Sequence, residues 1–213
     1  MTLTGLLGGS FNPAHRGHRH ISLGALEGLG LDEIWWLVSP GNPLKPEQGM
    51  APLPARFASA REAARGTPVK VTAIERELGT RYTVDTLDAL VRRYPERRFI
   101  WLMGADNLAQ FHLWRDWRRI ASLVPIAVVT RPGYARAARK APAWGWLREF
   151  VHPAAMARNW TLWRPPALVL LPLPPDRTSA TAIRAANPDW HETVIETFQT
   201  KALRDGVTRK ALT

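Results

Sequence analysis

The 213-residue chain contains no cysteine. Disulfides, zinc–thiolate sites and thiol nucleophiles are therefore excluded. It also lacks an apolar run approaching the roughly 18 residues that a membrane-spanning helix needs. The stretch Met1 to Phe11 has neither the basic segment nor the cleavage site of a secretory leader, so none is expected. Acids are scarce beside bases, Asp+Glu 18 against Lys+Arg 29, for a net charge of +11. That balance favours anionic partners: nucleic acid, an acidic membrane surface or phosphorylated small molecules. The alternative is a basic but inert surface. Hydrophobic residues at 46% and charged residues at 22% are ordinary for a globular domain, which argues against wholesale disorder. A chain near 200 residues buries roughly 70% of its unfolded surface, so it needs no covalent staple. The expectation is one domain over residues 1–213 in a reduced, cytoplasmic setting, with no membrane association.

Short apolar runs alternate with helical stretches, and no repeat or low-complexity tract interrupts them. Leu3–Leu7 reads as a strand, followed by a turn at 8–13 and a helix over about 14–26. Ile34–Val38 is a second strand, closed by Pro40-Gly41-Asn42-Pro43. A helix is expected over 54–64, stopped by Gly66, and a strand over 69–74. Val84, Leu87 and Val91 recur at helical spacing in 83–91, ended by Pro95. Phe99–Met103, Ile126–Val129 and Ala167–Leu171 read as further strands, with 107–123 mostly helical between the first two. Helices are expected over 179–186 and 191–203, within a C-terminal helical segment of about 179–206. This rhythm predicts an α/β fold: a Rossmann-like, doubly wound, mainly parallel sheet with helices on both faces. Ligands of such sheets bind at the carboxyl ends of the strands, where the strand order reverses.

Residues 135–166 break the rhythm. From Arg131 to Arg164 there are seven basic residues and one acid, Glu149, together with Trp144, Trp146, Trp160 and Trp163. Basic residues interleaved with aromatics suit a nucleic-acid surface. They equally suit an insertion whose tryptophans pack onto the sheet.

The string Gly8-Gly9-Ser10-Phe11-Asn12-Pro13-Ala14-His15-Arg16-Gly17-His18 follows a strand and opens a helix. It is neither the Gly-Lys-Ser/Thr phosphate loop nor the Gly-x-Gly-x-x-Gly fingerprint. It still has the parts of an anion site. Gly8 and Gly9 let backbone N–H groups approach a ligand. The helix start offers unpaired N–H groups and a positive dipole end. His15 and His18, three residues apart, can face one spot and stabilise charge building on phosphate oxygens. A metal pair with His20 as third ligand is the weaker reading, since no nearby carboxylate or cysteine completes it.

His15-Arg16-Gly17-His18 resembles the His-x-Gly-His signature of the nucleotidylyltransferase superfamily, and further segments resemble its bacterial nicotinate-mononucleotide adenylyltransferase branch. These are Pro40 to Lys45, Tyr82 to Leu87, Gly104-Ala105-Asp106-Asn107 with Trp114, Arg131 to Tyr134, and Thr178 to Arg184. The last resembles the second phosphate motif, Ile-Ser-x-Thr-x-Ile-Arg. Three positions depart from the pattern: Asn12 stands where Asp is common, Thr178 replaces Ile, and Arg115 follows Trp114 where Tyr is expected.

The resemblance implies adenylyl transfer from ATP to nicotinate mononucleotide, giving the dinucleotide and pyrophosphate without a covalent enzyme intermediate. It implies catalytic roles for His15, His18, Lys45 and Arg184, with His18 nearest the transferred group. ATP would also meet Gly8, Gly9, Ser10 and Phe11 through their backbone, and Ser179 and Thr181 at the second motif. On the other substrate, Thr83 N–H would receive the nicotinate carboxylate, Trp114 would stack on the pyridine ring and Asp106 would accept from ribose hydroxyls. Arg131 belongs to the same substrate set. Read locally, Thr83 is equally an N-cap, Asp106 a helix cap and Trp114 a packing residue. Mg²⁺ is expected with ATP, held by phosphates and water rather than a protein metal site. Two rivals remain: a sister enzyme acting on nicotinamide mononucleotide or another phosphate ester, and a non-enzymatic nucleic-acid binder. The branch segments disfavour both. A homo-oligomer is compatible with the sequence.

Overall fold

Seven strands pair in parallel in the order β3-β2-β1-β4-β5-β7-β6. They are β1 (Thr2–Gly9), β2 (Glu33–Val38), β3 (Val69–Thr72), β4 (Arg97–Gly104), β5 (Ile126–Thr130), β6 (Val151–His152) and β7 (Leu168–Pro172). The structure, a computed structural model, describes residues 1–41, 49–130, 139–174, 176, 178–198 and 203–212. The chain builds outward from β1 through β2 to β3, returns to β4 on the other side of β1, and continues to β5. The order therefore reverses between β1 and β4, where an open parallel sheet places its ligand.

Alternation along the central strands supplies two apolar faces. Leu6, Trp35 and Trp101 point to one side, under α4 (Thr83–Arg93) and α6 (Trp117–Leu123). Leu7, Trp36 and Leu102 point to the other, under α1 (Arg16–Leu29) and α2 (Leu53–Ala63). Every residue of β2, Glu-Ile-Trp-Trp-Leu-Val, is buried, as a strand covered on both faces requires. Glu33 is held there by Lys70, Arg97 and the Trp35 indole. Burial alone would raise its carboxyl, but the hydrogen bonds and neighbouring cations hold it below the usual carboxylate range.

Four expectations are corrected. The strand expected over 69–74 ends at Thr72, and Ile74 opens a short helix, α3 (Ile74–Leu78). The cause is remote: the Asp205 carboxylate accepts from Ala73 N at 2.7 Å and Thr72 Oγ1 at 2.9 Å, turning the chain there. The helix expected over 107–123 is broken into α5 (Ala105–Gln110), a 3₁₀ turn at Phe111–Leu113, and α6. Asp116, between them, is left-handed at φ 48°. The Trp-rich stretch, for which no strand is expected, carries one, since β6 pairs with β7 there. The C-terminal helices are α8 (Ala180–Ala186) and α9 (Trp190–Phe198), and residues 203–212 carry an antiparallel bridge, Arg204 with Ala211, instead of continuing helical.

The tryptophans of 135–166 pack inward. Trp160 is 1% exposed and donates from Nε1 to Leu29 O at 3.1 Å. Trp163 is buried and stacks on His152, while Trp146 meets Trp117 and Phe150. A short helix, α7 (Trp144–Leu147), sits against the α6 side of the core. Rings used in this way are not free as base-stacking platforms, so the packing reading of this stretch holds for its described residues.

Candidate active site

A cavity of about 650 Å³ opens at the carboxyl ends of β1 and β4. Its wall takes in Gly8, Gly9, Ser10, Phe11, His15 and His18 from the first motif, and Ser179 from the last. Thr83, Asp106 and Trp114 line it too, so both halves of the expected site share one space. Thr181 and Arg184 are not wall residues; Arg184 bonds to the first motif and to Thr181, as described below. Lys45 and Arg131 lie outside the described residues.

Gly8, next to last in β1, lies beside Trp101 of β4. A Cβ on Gly8 would lie 2.6 Å from the Trp101 ring, so the strands can carry an indole at this level only beside glycine. Phe11 then turns the chain at φ 47°, a left-handed value that strains a residue with a side chain. Aromatic packing holds it there: its ring stacks on Trp36 at 5.0 Å and meets His18 at 4.8 Å.

The two histidines cap α1 reciprocally. His15 is the N-cap, and its Nδ1 accepts from Gly17 N at 3.1 Å. His18 Nδ1 accepts from His15 N at 3.2 Å. This is a capping box built from imidazoles in place of the usual Ser/Thr and Glu. It has a chemical consequence. A ring nitrogen that accepts carries no proton, so each neutral ring holds its proton on Nε2 as a donor. The ring centroids are 4.0 Å apart. Capping thus positions a pair of N–H donors suited to phosphate oxygens.

The second motif is fastened to the first. Arg184 Nη1 donates to Asn12 O at 2.5 Å, and its Nη2 to Thr181 Oγ1 at 3.4 Å. Arg16 pairs with Asp176 at 3.4 Å, and His20 Nε2 bonds Pro174 O at 2.7 Å. A Cβ on Gly17 would lie 3.3 Å from Thr178 O and 2.9 Å from the His15 ring. Glycine in the His-x-Gly-His string therefore lets the late segment close over the helix start. Ser179 caps α8, its Oγ accepting from Ala182 N at 3.2 Å.

At the other wall, the N-cap of α4 is Tyr82 and makes no side-chain capping bond, so Thr83 is the first helical residue rather than the cap. Gly104, not Asp106, caps α5. Trp114 meets Trp101 edge-on at 6.2 Å and Phe111 at 5.4 Å while its remaining surface faces the cavity. Arg115 lies over the Tyr82 ring at 4.7 Å and reaches Asp85 at 3.8 Å.

Two buried residues escaped sequence reading. Arg56 of α2 is 2% exposed and gives Nε to Ala51 O and Nη1 to Ser10 O and Ser39 O, at 2.7–2.8 Å. It braces the β1 and β2 loops from below, and burial lowers its guanidinium pKa. Asn12 completes the brace, donating to Gly49 O at 2.8 Å and accepting from Ala51 N at 3.2 Å. An amide does both, where the ionised Asp common at this position could only accept. The other missed residue is Glu75, a wall residue whose Oε1 accepts from Thr86 Oγ1 at 3.1 Å. Burial pushes its carboxyl up to about 7, against the opposing hydrogen bonds of Thr86 and Ser39. The available sequence signal was a charged residue just after the expected strand 69–74, which alone does not reveal burial.

A cytidylyltransferase-like family model matches residues 6–186. A protein of Erythrobacter litoralis (strain HTCC2594), named "Probable nicotinate-nucleotide adenylyltransferase", is 58% identical over 98% of this chain and 94% of its own. One of Parvibaculum lavamentivorans (strain DS-1), with the same name, is 54% identical over 84% of this chain and 90% of its own. Among solved structures, nicotinic acid mononucleotide adenylyltransferase of Plasmodium falciparum complexed with NaAD shares the fold. Its TM-score is 0.65 at 13% identity, over 93% of this chain and 97% of that one. The chain belongs to the cytidylyltransferase-like family and, within it, to the nicotinate-nucleotide adenylyltransferases.

Proposed function

We propose that the protein joins ATP and nicotinate mononucleotide to form nicotinate adenine dinucleotide and pyrophosphate, a step of NAD biosynthesis. The observation that carries this reading is the 58% identity to a relative of that name across 98% of the chain. A phosphate oxygen of the mononucleotide attacks the α-phosphorus of ATP, and the bond to the β-bridging oxygen breaks. Catalysis rests on positioning and charge stabilisation.

In this reading His15 and His18 donate from Nε2 to the triphosphate, His18 nearest the transferred group. Backbone N–H groups from Gly8 to Phe11 and the Ser179 turn hold the remaining phosphate oxygens. Arg184, with Thr181 beside it, and Lys45 serve the pyrophosphate side. Thr83 offers a helix-start N–H to the nicotinate carboxylate. Trp114 stacks on the pyridine ring, Asp106 accepts from ribose, and Arg131 completes the substrate set. The donor set at the first motif suits anions, which fits Mg²⁺ carried on the nucleotide's phosphates and water. Bound so, the ion neutralises charge on the leaving pyrophosphate.

The experiment is a comparison of rates on nicotinate and nicotinamide mononucleotides, with ATP and Mg²⁺, read by pyrophosphate release. A strong preference for the acid is expected; a strong preference for the amide overturns the substrate assignment.

A further inference from the structure

We propose that Glu75 determines specificity on the mononucleotide side of the cavity: an uncharged carboxyl there admits a substrate bearing its own ring carboxylate, and an ionised one repels it. The proposal rests on the nicotinate reading above.

The geometry comes first. Glu75 is 8% exposed yet lines the same cavity as Thr83. Its carboxyl bonds Thr86 Oγ1, one helical turn beyond Thr83, and so lies against the first turn of α4. Thr86 Oγ1 also lies 2.9 Å from Thr80 Oγ1 and 3.2 Å from Tyr82 O, so its one proton is shared between the Glu75 carboxyl and the Tyr82 carbonyl while it can accept from Thr80. The amino end of α4 is therefore flanked by a carboxyl group at the place where the substrate's carboxylate is expected. Two like charges there disfavour each other, and a protonated carboxyl removes the conflict.

The surrounding charges leave Glu75 to titrate on its own. Glu77, on its helix, is engaged by Arg93 and Lys210. Arg115 is engaged by Asp85, Asp116 and the Tyr82 ring. Arg76 on α3, Arg81 before α4, Asp205 against the end of β3, and His15, His18 and Asp106 in the cavity wall are the other charged or titratable groups nearby. The influences that set the Glu75 proton are burial and two hydroxyls, and together they place its titration near neutral pH. Discrimination near neutrality would then vary with pH in a way a merely structural carboxyl would not produce.

The test is calorimetric titration of the protein, with Mg²⁺ and an unreactive ATP analogue, by nicotinate and by nicotinamide mononucleotide. Measurements run from about pH 6 to about pH 8.5, spanning the titration. Both ligands carry the same titrating phosphate, so the ratio of their Kd values isolates the ring substituent. The preference for the acid is expected to fall about threefold or more across this range in the parent. It should stay level in Glu75→Gln. A level ratio in the parent, or the same fall in Glu75→Gln, overturns the role of Glu75 and leaves adenylyl transfer standing. If nicotinate mononucleotide does not bind at any pH, the substrate reading itself fails and the proposal with it. Should Glu75→Gln not fold, the parent's profile decides alone.

Discussion

Replacing His18 with alanine removes two things at once, and the structure separates them. The first is structural. His18 Nδ1 accepts from His15 N, and the ring touches Phe11 at 4.8 Å and Trp36 at 5.9 Å. A lost capping acceptor costs about 1 kcal/mol, and aromatic contacts on a half-exposed ring add about as much again. A loss of about 2 kcal/mol lowers Tm by roughly 4–8 °C in a chain of this size. The second is chemical: removing one donor aimed at developing charge lowers kcat by about 10²–10³. His18→Gln pulls the two apart, because glutamine at this position of a capping box accepts from the N-cap N–H. Thermal melts and steady-state rates of both variants provide the assay. His18→Ala should lose stability and turnover together. His18→Gln should recover most of the stability and remain about a hundredfold slow. If turnover returns with stability in His18→Gln, or stays within a few-fold of the parent in His18→Ala, the ring is a cap and not a catalytic donor.

Three further outcomes follow from named contacts. Trp114→Ala should raise KM for the mononucleotide about tenfold and leave KM for ATP near the parent value, as a lost ring contact does; an unchanged mononucleotide KM argues against stacking. Arg56→Met leaves the carbonyls of Ser10, Ser39 and Ala51 without their buried donor. Denaturant unfolding should show a loss of about 2–4 kcal/mol, and a loss below 1 kcal/mol would contradict the brace. Glu75→Gln should change stability in a pH-dependent way. The Glu75 carboxyl is raised from 4.5 to about 7, so the folded state holds its proton more tightly than the unfolded chain. Its contribution is fully present below about pH 4.5 and is lost as pH rises through about 7, by about 3 kcal/mol in all. The variant should therefore be more stable than the parent at pH 8 and show a flatter stability profile between those limits. A variant destabilised equally at every pH would contradict this.

Much of the fold was legible because its signals are local. Continuous apolar runs such as Ile34–Val38 belong to strands covered on both faces, and the structure extends that one by a single residue, Glu33. The first motif announced itself by two glycines and two histidines between a strand and a helix. What escaped depended on partners far along the chain. Ala73 and Ile74 look like the end of a strand until Asp205, 132 residues away, accepts from Ala73 N. The helix expected over 107–123 tightens to 3₁₀ at Phe111 and breaks through to Asp116, whose left-handed backbone no composition rule demands. Arg56 falls in the expected helix 54–64 and Glu75 between the expected strand 69–74 and helix 83–91, and nothing local marks either as buried. Arg56 is buried under the loops after β1 and β2 and Glu75 against α4, tertiary events without periodicity to betray them. The reciprocal capping of His15 and His18 lay between these cases: the spacing was visible, but the use of Nδ1 as acceptor, and hence the tautomer, was not.

The central claim is that the α-phosphoryl group of ATP passes to a mononucleotide in the cavity between β1 and β4. ATP labelled at its α-phosphorus, incubated with the protein, Mg²⁺ and nicotinate mononucleotide, tests it most directly. The account predicts that the label appears in the dinucleotide, with one unlabelled pyrophosphate released for each dinucleotide formed. Label retained in ADP, or ATP left intact, would contradict it.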